Sequence, residues 1–112
     1  MGSGEREAEE QFVAYRLTFS GRAVREVGEA HEWYEAQSDG LGTEYEAAFE
    51  LQLRRLEQAP LLYPEIVPGV RRTLLPRFPY AVFFTVKGDL VHILAVIHNA
   101  RNPKRWPART AR

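Results

Sequence analysis

Three runs rich in Val, Ile, Leu, Phe and Tyr crowd residues 70–98, VRRTLLPRFPYAVFFTVKGDLVHILAVIH. Pro76 and Pro79 interrupt them once, Gly88 and Asp89 a second time. β-branched and aromatic side chains suit a pleated, half-buried surface, so each run is predicted to be a strand. The Lys87-Gly88-Asp89 break is short enough for a hairpin, with Gly88 free to take positive φ. The pattern predicts an antiparallel three-stranded meander. In its last strand, strict alternation puts Leu90, His92, Leu94, Val96 and His98 on one face and Val91, Ile93, Ala95 and Ile97 on the other. Both faces are mainly apolar, which predicts a central strand. A sheet this apolar needs a cover.

The preceding chain supplies one. Val13, Tyr15, Leu17 and Phe19 alternate with small or polar residues, predicting a strand over 12–19. That strand pairs in the same sheet, antiparallel at an edge or parallel to a meander strand after a helical crossover. Ser20 is a candidate N-cap for a helix reaching about residue 37. Ala23, Val27, Ala30 and Tyr34 share one face, with Val24 and Trp33 widening the stripe. Ser38-Asp39-Gly40 breaks it, with Gly40 suited to a left-handed cap. A second helix is predicted over 42–58, its stripe formed by Tyr45, Ala48, Phe49, Leu53 and Leu56. Residues 60–69, with three prolines and a glycine, read as a loop. The predicted fold is α+β: a helical hairpin packed on a small, largely antiparallel sheet, in the order β-α-α-β-β-β. One domain spans 12–106, between a disordered or frayed N-terminal tail (1–11) and a C-terminal tail (107–112). Residues 1–4, Met-Gly-Ser-Gly, are native or an expression remnant.

Composition sharpens this picture. The 112 residues carry 15 Lys+Arg and 15 Asp+Glu, so net charge does not announce nucleic-acid binding. Its distribution is uneven: from Val70 onward Asp89 is the single acid, against nine basic residues. This asymmetry points to a basic functional face or an acidic partner. The chain has no cysteine, hence no disulfide framework and no thiolate metal site. No signal-peptide pattern opens it and no apolar run is long enough for a bilayer, so a cytoplasmic location and no membrane partner are expected. No Gly-rich phosphate loop, zinc pattern or Ser-His-Asp arrangement is present, and neither cofactor nor metal is expected. On one strand face His92 and His98 would stand about 20 Å apart, too far to share a metal. His92 reads as a strand histidine with a local partner. His98 ends the strand near Arg101 and is a candidate functional residue.

Particular words recur in order along the chain: Pro60 and Pro64; Gly69-Val70-Arg71-Arg72; Arg77-Phe78-Pro79-Tyr80; and Val96-Ile97-His98-Asn99-Ala100-Arg101-Asn102-Pro103, with Trp106 behind. This string resembles the RelE/ParE superfamily of type II toxin–antitoxin toxins, nearest its ParE-like plasmid-stabilisation branch. The resemblance implies a toxin neutralised by a cognate antitoxin and meeting operator DNA only through it. RelE-like members cut mRNA on the ribosome, whereas ParE-like members poison DNA gyrase. RelE-like nucleases carry Tyr-Arg-aliphatic-aliphatic-Tyr on the middle strand of the meander. Here that word is Tyr80-Ala81-Val82-Phe83-Phe84. Ala81 and Phe84 can neither stabilise phosphate charge nor move protons. Gyrase poisoning is therefore the leading expectation, with mRNA cleavage or a non-toxic descendant as alternatives.

The resemblance also implies a groove for an amphipathic antitoxin segment, with Trp33, Tyr34, Tyr45 and Phe49 as candidate lining. Arg71, Arg72, Arg77, His98 and Arg101 form the candidate basic surface, expected to gather at one end or face of the sheet. The competing reading of that surface is a solvated rim. Arginine suits a binding surface because its planar fork pairs bidentately with carboxylate or phosphate.

Overall fold

The computed structural model describes residues 14–100. Strand β1 (Arg16–Phe19) leads into helices α1 (Gly21–Gln37) and α2 (Leu41–Gln58). A 3-10 turn, Pro60–Leu62, precedes β2 (Glu65–Val67), β3 (Val70–Leu74), β4 (Tyr80–Lys87) and β5 (Leu90–His98). The sheet order is β1-β5-β4-β3-β2. β1 runs parallel to β5 and every other pair is antiparallel. This is the expected α+β architecture, with β5 inside the sheet. One element is additional: β2, within the stretch expected to be loop. Its three residues fit between Pro64 and Pro68, and Gly69, at φ 84°, turns the chain back into β3.

Ser20 sets the first corner. Its hydroxyl oxygen accepts the Ala23 amide at 2.9 Å, capping α1 as expected. The same hydroxyl donates to the Leu94 carbonyl at 2.8 Å, and the Ser20 amide donates to Ile93. The helix thus starts where β1 leaves β5. Gly40 does not close α1: Ser38 is its C-cap, and Gly40, at φ 86°, precedes α2. Glu35 accepts the Gly40 and Gly42 amides at 2.8 and 2.9 Å, so the end of α1 caps the start of α2.

Helix α1 buries Ala23, Ala30 and Tyr34; α2 buries Gly42, Tyr45, Ala48, Phe49, Gln52 and Leu56. These pack on Tyr80, Val82, Phe84, Val91, Ile93 and Val96 of the sheet. Val24 and Trp33, expected to widen the buried stripe of α1, are exposed. On the other face of the sheet, Ala81, Phe83, Ala95 and Ile97 form a second apolar cluster flanked by Ile66, Val70 and Leu94.

Alternation in β5 does not run unbroken. Phe83 opposes Ala95 while Phe84 opposes Ile93, leaving Leu94 as the extra residue of a β-bulge. The bulge reverses the face assignment halfway along the strand. Val91 and Ile93 therefore join Val96 under the helices, although alternation assigned them to opposite faces. His92 and His98 consequently lie on opposite faces, not on one. Among the described residues no helix is long and apolar enough to cross a membrane.

Candidate functional site

The β3–β4 connection is tightly wound. Phe78 donates to the Pro76 carbonyl and Tyr80 to the Phe78 carbonyl, each at 2.8 Å, while Leu75 donates to Tyr80 at 3.0 Å. Among the described residues Arg77 is the one non-glycine with positive φ, at 71°. Left-handed backbone costs an L-residue about 1–2 kcal/mol, so its retention there is a functional hint. Its guanidinium lies 2.9 Å from Glu44 Oε1 and 5.4 Å from the centre of the Phe78 ring. Both charged groups are more than half exposed, so the pair contributes little to stability.

His98 stands at the same end of the sheet. It opposes Tyr80 in register, and its ring meets the Tyr80 ring edge-on with centroids 5.0 Å apart. Its Nδ1 accepts the Ala100 amide at 3.0 Å, which in a neutral ring leaves the proton on Nε2. The Asn99 amide bonds the Pro79 carbonyl at 2.7 Å, tying the end of β5 to the Arg77 turn. Arg101 lies outside the described residues.

The other arginines do not join this end. Arg71 Nη1 donates to the Tyr63 carbonyl, and Nη2 lies 3.6 Å from Glu65 Oε2. It clamps the loop before β2, so the expected gathering of Arg71 with Arg77 does not occur. Arg72 points to the opposite side of β3, and its guanidinium has no partner among the described residues.

The expected aromatic groove also resolves differently. Tyr34, Tyr45 and Phe49 are buried in the core, and of the four proposed lining residues only Trp33 is substantially exposed, at 47%. Instead of an open channel, the aromatics form a stack reaching the Arg77 turn. Tyr34 stacks on Tyr45 at 5.4 Å, and both meet the edges of Phe78 and Tyr80. Trp33 caps the stack from outside, edge-on to Tyr34 at 5.0 Å. Burial pushes the Tyr45 hydroxyl pKa up, with Tyr80 and Tyr34 adding to it.

A feature that sequence reasoning missed is an open groove of about 450 Å³ between α2 and β3. Gln52 and Arg55, Tyr63 and Pro64, and residues 72–76 line it. Gln52 Nε2 donates to Thr73 Oγ1 at 2.7 Å and to the Tyr63 hydroxyl at 3.1 Å. Arg55 donates to Gln52 Oε1 at 3.1 Å. The available signal was a polar Gln52 on the apolar stripe, three and four residues after Phe49 and Ala48. Among the described residues no cluster of three His, Cys, Asp or Glu could hold a metal.

Helical hairpin, parallel β1–β5 pair and meander together define the class of small α+β toxins. The family described as the ParE toxin of type II toxin–antitoxin systems, parDE, matches residues 17–103. The chain belongs to that family. A solved structure described as the chromosomal ParDE toxin–antitoxin system from P. aeruginosa contains a chain of similar fold, with TM-score 0.65 and 24% identity. The similarity covers 76% of this chain and 96% of that one. No curated protein matches this chain.

Proposed function

We propose that this ParE-family chain is a working toxin that acts by binding protein, is neutralised by a cognate antitoxin and poisons DNA gyrase. The observation that carries the choice over mRNA cleavage is the environment of positions 81 and 84. Ala81 lies in the apolar cluster on the sheet face away from the helices, beside Phe83, Ala95 and Ile97. Phe84 faces the other way and is fully buried under the helices. The two positions thus offer no acid, base or cation converging on a phosphate. The exposed end of the sheet with Arg77 and His98, extended in sequence by Arg101, is the candidate target surface. Operator DNA would be met only through the antitoxin, in the cytoplasm. Purified chain added to gyrase with relaxed plasmid should block supercoiling, and antitoxin should restore it. Intact supercoiling together with codon-dependent mRNA cuts in induced cells would reverse the choice.

A further inference from the structure

The groove beside β3 has a use that gyrase poisoning does not explain. The Leu75 amide bonds Tyr80, and the register pairs Thr73 with Val82 and Arg71 with Phe84. In an antiparallel ladder these residues direct their backbone groups to β4, so Arg72 and Leu74 direct theirs outward. The Arg72 amide is taken by the Pro64 carbonyl at 3.2 Å. The β2 ladder ends at the Glu65–Arg71 pair. Leu74 is left with its N–H and C=O on a strand edge that no described strand covers, along a groove already open. Exposed strand edges are templates for pairing.

The walls define what could pair there. Gln52 and Thr73 are 3% and 4% exposed and satisfy each other, so the polar floor is preformed rather than left unmatched. The rim carries the guanidinium groups of Arg55 and Arg72, and no acidic side chain lines the groove. A helix cannot use the Leu74 edge because its backbone groups are already paired internally. An extended segment can. Pro76 has no N–H and Arg72 is occupied, so Leu74 alone offers its pair of bonds and the added strand must be short. Affinity then rests largely on charge.

We infer that this groove binds a short, extended, acidic segment of the neutralising partner, added as a strand against Leu74 with its carboxylates meeting Arg55 and Arg72. The identity of the partner rests on the toxin reading; the groove itself does not.

The test uses the purified full chain and a fluorescein-labelled five-residue peptide alternating Asp or Glu with Val, followed by fluorescence anisotropy and amide NMR. Binding should shift and protect the Leu74 amide. N-methylation of the central peptide amide, or the double variant Arg55→Glu/Arg72→Glu, should weaken binding at least about tenfold. Circular dichroism reports whether the variant is folded, and the N-methylated peptide tests the same claim on unaltered protein. Binding that ignores N-methylation, equal binding of a Lys-for-acid peptide, or no binding at about 1 mM would overturn the inference. Self-association abolished by Arg72→Glu would also overturn it, by assigning the edge to a second copy. Peptide binding by a chain that leaves gyrase untouched would overturn the toxin reading and leave the groove standing.

Discussion

Glu26 Oε1 on α1 accepts the backbone amide of Val96 on β5 at 2.7 Å. The contact joins residues 70 positions apart. It lies two residues beyond the bulged Leu94, where β1 no longer covers the edge of β5. The second oxygen of Glu26 takes Arg22 Nε at 2.8 Å, which holds the carboxylate in place. A helix carboxylate thereby stands in for the missing strand. Glu26→Ala should destabilise the domain by about 1–3 kcal/mol, the cost of a buried donor left unmatched. Glu26→Gln, which keeps an acceptor oxygen, should cost less. Urea denaturation of both variants checks the order.

Tyr45 is fully buried, and its hydroxyl finds no hydrogen-bond partner among the described residues. Removing an unpaired buried polar group relieves a desolvation cost. Tyr45→Phe should therefore match or exceed the parent in stability, by up to about 1–3 kcal/mol. A lower thermal midpoint would show that the hydroxyl is paired.

Gly42 marks the close approach of the two helices. A Cβ there would stand 2.6 Å from the His31 carbonyl oxygen and 2.9 Å from its Nδ1. The nearer obstacle is backbone and cannot swing aside. Gly42→Ala should cost about 1–3 kcal/mol despite the better helix propensity of Ala, measured by urea denaturation.

Acid should loosen the hairpin and the β1 edge. Amide donors from Gly40 and then Gly42 hold the Glu35 pKa below its ordinary value, and the Arg16 hydrogen bond does the same for Asp89. Depressed carboxylates contribute stability above their unfolded pKa and lose it as pH falls through the folded one. Stability should thus decline below about pH 4. Glu35→Gln should flatten part of that decline, and thermal midpoints across the acid range would show it.

Arg77 combines strained backbone with a surface cation. Arg77→Gly should raise stability by about 1 kcal/mol while weakening both toxicity and antitoxin binding. Arg77→Glu/Arg101→Glu should keep the fold, because the Glu44 pair is exposed, and should lose both functions with a steep salt dependence. Unchanged toxicity and antitoxin affinity in the folded double variant would leave this end as a solvated rim.

Strands, both helices and the Ser20 cap were legible because local pattern decides them. Period-two runs, a 3.6-residue stripe and a serine before it are all contained in short windows. The β5 bulge was not legible. Ser20 and Glu26 hold it open from another part of the chain, and no local rule places an extra residue at Leu94. Arg71 escaped for a related reason: its partners are loop carbonyls, which carry no residue signature. The aromatic residues were recognised but assigned to a groove, since amphipathic spacing does not distinguish a face covered by the chain's own sheet from one left for a partner. Gln52 was the overlooked clue, a polar residue on a buried stripe that marked the groove beside β3.

The central claim is that this ParE-family chain acts on gyrase rather than on RNA. A supercoiling assay with purified gyrase, relaxed plasmid and increasing amounts of the chain tests it most directly. The account predicts dose-dependent loss of supercoiling, accumulation of cleaved plasmid and reversal by the antitoxin. Full supercoiling at a large molar excess of folded chain would contradict it.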